Sequence, residues 1–193
     1  MYKDVNNDGV INDADRTFVG SPIPKFTYGL TGTLQFQNFD LSLFFQGVYG
    51  NKLYDQVNTD IEGFYRPFNI TERIATQSWT GPGTSNQFPI LSWSDATNNK
   101  QPSTRFLENG SYLRLKNIQL GYRLGKNALK SIGMSSARIF VSAQNLLTFT
   151  KYTGLDPEQY NNSNNGATVQ AVGIDWGTYP TARVLTAGIN ASF

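Results

Sequence analysis

Between Asp4 and Asp15 the chain reads DVNNDGVINDAD, and oxygen-bearing residues recur at almost every second position. Asp4, Asn6, Asp8, Val10, Asn12 and Asp15 fall at positions 1, 3, 5, 7, 9 and 12 of a calcium-binding loop, with Gly9 at the sharp turn of position 6. Hard oxygen donors at this spacing wrap one Ca²⁺, Val10 ligating through its carbonyl, and Ile11 is the apolar residue expected to pack the loop down. The pattern departs from the usual one twice. Position 12 is Asp rather than a longer, bidentate Glu, and no helix-forming stretch precedes Asp4. The same residues would also make an Asx-rich turn that needs no metal.

Other chemistry is sparse. Histidine and cysteine are absent, which removes Ser-His-Asp and Cys-His triads, disulfides, and His- or thiolate-ligated metals. Asp55, Asp60, Glu62 and Asp95 invite a glycosidase reading with paired carboxylates. Nothing in their spacing fixes a pair, so the expectation is that the chain is not an enzyme. Sixteen basic and fourteen acidic residues leave +2 without a basic block, so nucleic acid is not an expected partner. Aromatic residues crowd two long stretches: Tyr54, Phe64, Tyr65, Phe68, Trp79 and Trp93 in one, Trp176 and Tyr179 in the other. They read first as the private core of ordered loops or an interfacial girdle, and second as platforms for sugars or a partner protein.

What must position these residues is a set of strands. The last ten residues, VLTAGINASF, place Leu185, Ala187, Ile189, Ala191 and Phe193 on one face and Thr186, Gly188, Asn190 and Ser192 on the other. Residues 26–36 alternate as cleanly, with Phe26, Tyr28, Leu30, Leu34 and Phe36 opposite Thr27, Thr31, Thr33 and Gln35. The spacing predicts strands over about 26–36, 38–48, 111–124, 137–149 and 182–193. Gln37-Asn38 joins the first two as a hairpin. In the third, Leu113 and Leu115 are out of phase with Ile118, Leu120, Tyr122 and Leu124, which predicts a bulge near Lys116-Asn117. Charged residues make up 16% of the chain and aromatic ones 13%, an unusual balance for a soluble domain. No apolar run approaches the ~20 residues of a membrane helix, and negative mean hydropathy is no objection to membrane strands, whose alternation hides from it.

The links differ in length. Those at 37–38 and 125–135 are short, and those at 50–110 and 150–181 are long. Transmembrane barrels have short periplasmic turns and long external loops, and the parity of five antiparallel strands puts both long connections and the N-terminal segment, with its loop 4–15, outside. Five strands cannot close a barrel, which needs ~8. The N-terminus, MYKDVNNDGV, lacks a secretory signal, so the chain is expected to be the C-terminal piece of something longer.

With these features in place, the chain resembles the C-terminal part of the SusC/RagA-like TonB-linked outer-membrane proteins. The resemblance rests on residues 3–30 (KDVNNDGVINDADRTFVGSPIPKFTYGL), 39–47 (FDLSLFFQG), 109–122 (NGSYLRLKNIQLGY), 136–158 (SARIFVSAQNLLTFTKYTGLDPE) and 179–193 (YPTARVLTAGINASF). It implies an all-β fold, the C-terminal segment of an antiparallel transmembrane β-barrel of roughly 22 strands with long extracellular loops and a plugged lumen. It further implies the outer membrane of a Gram-negative bacterium, energy from the TonB complex through regions absent here, and a SusD-like surface lipoprotein as lid. The cargo would be oligosaccharides or, in some members, peptides. The strand ending in Phe193 looks like the recognition signal for the barrel-assembly machinery. A fragment lacking the plug and most strands is not expected to transport alone. The alternative reading is a secreted, calcium-stabilised carbohydrate-binding β module.

Overall fold

The alternating segments form one antiparallel sheet. A computed structural model describes residues 2–63, 69–92, 101–125, 129, 133–158 and 172–193. Strand β1 (Phe26–Phe36) turns at Gln37-Asn38 into β2 (Phe39–Tyr49). Gln37 has φ +53°, the left-handed value at the first central position that lets a two-residue hairpin follow the strand twist. Strands β5 (Tyr112–Arg123), β6 (Ser136–Thr150) and β8 (Val184–Ser192) complete the order β1-β2-β5-β6-β8. The ends of β1 coincide with the sequence-based bounds, and those of the other four strands differ by one or two residues.

The bulge lies where the phase break puts it. Phe44 and Phe45 of β2 face Asn117 and Leu115, so Lys116 is the extra residue. Beyond it Leu115 and Leu113 pair with Phe45 and Gly47, on the same face as Ile118, Leu120 and Tyr122. One inserted residue has rephased half a strand. The partner strand carries an irregularity that alternation did not reveal: Leu115 faces Leu147 and Asn117 faces Gln144, so Asn145 and Leu146 bow out of the ladder. Asn145 takes φ +52°, which Asn tolerates better than most side chains. Two skipped residues preserve parity, which is why the sequence of β6 looks unbroken.

The connection 50–110, read as loop, folds further. Strand β3 (Lys52–Asp55) runs into helix α1 (Gln56–Glu62), helix α2 (Glu72–Gln77) follows, and a single 3₁₀ turn at Thr104–Phe106 leads into β4 (Leu107–Asn109). Together with β7 (Ile174–Asp175) from the second long connection, these strands make a three-stranded sheet, β4-β3-β7, in which β3 and β7 are parallel. The Asp55 side chain accepts from the Asn58 N–H at 2.8 Å and caps α1. Apolar packing here is small: Ile74, fully buried, clusters with Phe88, and Leu53 and Phe106 are buried as well. Register places the 37–38 hairpin, the 125–135 link and Phe193 at one end of the large sheet. The small sheet and the N-terminal segment sit at the other, where Lys25 N–H bonds the Tyr49 carbonyl and Lys52 N–H the Ser21 carbonyl.

Candidate functional site

The large sheet has two chemically distinct faces. Cross-strand partners share a face, so the pairs Leu30–Phe45, Leu34–Leu41, Leu43–Ile118, Leu120–Val141 and Ala143–Leu185 join into one apolar surface across all five strands. It is not covered: Leu30 is 65% exposed, Leu34 62%, Ile189 70% and Leu185 77%. Aromatic rings cluster at its two ends. Phe26 and Tyr49 stack at 5.2 Å at one end, and Phe39 and Tyr122 lie 4.8 Å apart at the other. The ten steps from Phe26 to Phe36, at about 3.3 Å each and at the tilt usual for membrane barrels, span about 25 Å. That is the height of the apolar band of a bilayer-spanning barrel between its aromatic girdles. No helix among the described residues is long and apolar enough to cross a membrane.

The opposite face is mostly polar. Thr31, Thr33, Gln35, Ser42, Gln119 and Asn190 lie on it beside the rings of Phe44 and Phe140, with an ion pair near the hairpin end, where Arg138 of β6 bonds both carboxylate oxygens of Asp40 on β2. The guanidinium reaches β2 by passing over Gly121 of the intervening strand. A Cβ at Gly121 would stand 2.3 Å from Arg138 Nη2 and 2.6 Å from Cζ. At the other end Arg114 holds Asp156 and Glu158 of the chain after β6, while Thr148 accepts from its Nε at 2.9 Å. Lys116, the bulged residue, adds a second cation to Glu158 at 2.7 Å. The bulge thereby aims Lys116 at the connection it anchors. Burial pushes the Asp156 carboxyl up, but the Arg114 guanidinium and the N–H groups of Glu158 and Thr181 outweigh this and hold it below the usual range.

The N-terminal loop closes on itself. Asp4 accepts from the N–H groups of Asn7 at 2.7 Å and Gly9 at 2.8 Å, and Asp15 from those of Val5 and Asn12, both at 2.8 Å. Gly9, at φ +81°, makes the sharp turn its position demands. Asp13–Asp15 forms a 3₁₀ turn capped by Asn12. The backbone N–H groups of Asn12 and Val5 hold the Asp15 carboxyl below its ordinary range. Asp8 accepts from Val10 N–H and from the Asn6 amide. Positions 1 and 12 are thus drawn together by the loop's own backbone, and a carboxylate accepting one or two N–H bonds keeps lone pairs for a cation. Ile11 does not pack the loop down: it is 52% exposed. Among the described residues no three His, Cys, Asp or Glu side chains group as a metal site, so a metal here would rely on the Asn6 and Asn12 amides and the Val10 carbonyl as well.

The long connections bring other residues together than sequence grouping suggested. Asp55 pairs across β3 and β7 with Asp175, not with Asp60 or Glu62. Asp175 accepts from the Tyr152 hydroxyl at 2.5 Å and from Gly177 N–H at 2.8 Å. Burial pushes the Asp55 carboxyl up, with the Asp175 charge adding to it, and burial together with the Asp175 bond pushes the Tyr152 phenol up. Asp60 accepts from Gln56. Glu62, 4% exposed at its side chain, is held by Arg73 and Arg105. Asp95 lies outside the described residues, as do Phe64, Tyr65, Phe68 and Trp93. Tyr54 packs edge-on against Phe106 with its hydroxyl toward Thr59, whereas Trp176 and Tyr179 are 62% and 90% exposed. Beside Glu62 a cavity of about 200 Å³ is lined by Arg73, Arg105, Phe88, Gln87 and Glu108.

No protein-family model matches the chain. It is 37% identical to TonB-dependent receptor P3 of Formosa agariphila over the whole chain and 19% of that protein. It is 27% identical to TonB-dependent receptor SusC of Bacteroides thetaiotaomicron, again over the whole chain and 17% of the relative. Among solved structures, the RagAB peptide transporter superposes on 95% of the chain with a TM-score of 0.78 at 26% identity, using 19% of its own length. The chain thus spans about a fifth of the length of its relatives. By sequence and by fold it corresponds to a part of the TonB-dependent receptors of the SusC and RagAB kind, and its five long strands are a segment of such a barrel that does not close by itself.

Proposed function

We propose that this chain supplies part of the wall and outer loops of a Gram-negative outer-membrane importer, energised by TonB, that takes up oligosaccharides or peptides under a SusD-like surface lipoprotein. One observation carries it: an uncovered apolar face of membrane height backs a polar face, and every long connection lies at one end. A secreted carbohydrate-binding module would have to cover that face. The relatives support import, and the name of RagAB as a peptide importer keeps peptides in the proposal beside glycans. Transport belongs to the larger barrel of which these strands are a segment. Phe193, 87% exposed at the end of an alternating strand, is proposed as the contact for the assembly machinery.

The loop 4–15 is proposed to hold Ca²⁺ through Asp4, Asn6, Asp8, Asn12, Asp15 and the Val10 carbonyl. When bound, the ion would cross-link the two ends of the loop, and the chain's own N–H bonds pre-orient the carboxylates for it. Calorimetry with CaCl₂ should show binding that Asp8→Ala weakens at least tenfold; indistinguishable traces would remove calcium from the account.

Topology tests the import reading directly, because the chain has no cysteine. In the intact gene product, Tyr179→Cys should react with a membrane-impermeant maleimide on whole cells, and Asn38→Cys only after the outer membrane is broken. The reverse pattern would overturn the orientation. Uptake that persists without TonB would overturn the energy source.

A further inference from the structure

The cavity beside Glu62 has a charge arrangement that the fold alone does not require. Glu62 carries one negative charge and two guanidiniums converge on it. Arg73 approaches through Nε and Nη2 to Oε1, while Arg105 reaches Oε2 only at 3.5 Å. The remaining N–H groups of Arg105 have no hydrogen-bond partner among the described residues, although its side chain is only 24% exposed. Both guanidiniums lie over Phe88, at 5.5 and 5.4 Å from its centroid, and Arg105 also over Phe106 at 4.9 Å. Glu108 lines the cavity too and keeps its negative charge, both its oxygens accepting from Thr153, at 2.8 and 2.5 Å, so the idle donors of Arg105 rather than a net positive lining mark the site.

A partly desolvated guanidinium with idle donors, next to a second cation, is stabilised most by an oxyanion, which takes up planar N–H pairs and relieves the repulsion. The rings cannot serve as a sugar-stacking platform while cations occupy them. At about 200 Å³ the space is below the volume of a drug-sized pocket and suits one charged group rather than a whole oligomer. We propose that this cavity is a subsite for an oxyanion, a carboxylate or sulfate group carried by the imported oligomer, with Arg105 as its principal donor and Arg73 as the second cation. The inference rests on the import reading for the source of the ligand, but binding itself is measurable without transport.

The test uses the intact gene product purified in detergent, with trigalacturonate, a sulfated galactose disaccharide, triglutamate and neutral maltotriose as probes. At least one anionic probe should bind ten times more tightly than maltotriose, and binding should weaken between 50 and 300 mM NaCl. Which probe wins separates glycan from peptide as the source. Arg105→Gln should cost about tenfold to a hundredfold, Arg105→Lys less, with heat-modifiable mobility unchanged because Glu62 keeps Arg73. Gln87→Glu, which adds a repelling carboxylate to the wall without touching the Glu62 pairs, should also weaken binding and serves if Arg105→Gln does not fold. Equal affinity for neutral and anionic probes, or full affinity in folded Arg105→Gln or Gln87→Glu, would overturn the subsite. Failed TonB-dependent uptake with anion binding intact would count against the import reading alone.

Discussion

Arg114 of β5 and Asp156 of the chain after β6 are 42 residues apart and form a buried ion pair, with side-chain exposures of 4% and 5%. The pair ties the second long connection to the polar face of the barrel wall, and Glu158 and Thr148 accept from the other two guanidinium nitrogens.

Removing one side of such a pair strands the other charge. Arg114→Met should destabilise the outer connection by about 3–5 kcal/mol and expose 151–158 to protease at the cell surface while the strands stay inserted. Because the Asp156 carboxyl is held low in the fold, its contribution is fully present above its unfolded pKa of about 3.9 and is lost as pH falls through the lower folded value. Protease resistance of the wild type should therefore hold from pH 8 to about 4 and fall below that. A flat profile at low pH would argue that the pair is not what orders the connection.

Gly121 is needed because a guanidinium lies on it. Gly121→Ala should cost about 1–3 kcal/mol through overpacking, read as a lower temperature midpoint of heat-modifiable mobility. Arg138→Ala in the same chain should return part of that loss by vacating the space, at the expense of the Asp40 contact. Additive losses in the double variant would show that Arg138 is not the obstruction.

Deleting Lys116 should leave every other side chain of β5 on its present face, since the bulged residue faces no partner. Deleting Gln119 should turn one half of the strand over and put polar groups toward lipid. The amount of folded protein in the membrane should stay within about twofold for the first and collapse for the second. The first variant should also loosen the 151–158 chain, through loss of the Lys116–Glu158 bond.

Asp55→Asn preserves the helix cap, since Asn is an equally good N-cap, and removes a buried charge facing Asp175. The raised Asp55 pKa means that its ionised form opposes folding most above the folded pKa, and that this cost fades as pH falls through the folded pKa and is gone below the unfolded one. The variant should therefore resist urea better than wild type at pH 8, measured by proteolysis of the outer sheet, and the two should converge near pH 4. An advantage at pH 4 equal to that at pH 8 would assign the effect to packing.

Period two and one phase break were enough to give the five long strands, their two faces and the bulge at Lys116, because a bilayer-facing strand must alternate along its whole length. The Asx-rich turn at 4–15 was legible for a similar reason: its hydrogen bonds are local, running from side chain to a backbone a few residues away. The outer sheet was not legible. Its strands are two to four residues long, too short for periodicity to register, and they pair 107–109 and 174–175 with 52–55. The bowed pair Asn145-Leu146 was equally hidden, because skipping two residues leaves alternation intact.

Alternation alone set which residues share the exposed apolar face, since that choice is made residue by residue by apolar transfer along each strand. It did not determine which charges meet. Asp55 with Asp175, Arg138 with Asp40, and two arginines on Glu62 are brought together by register and by chain crossings between distant segments. Their energies depend on burial and separation, two quantities that exist only once the sheets have assembled.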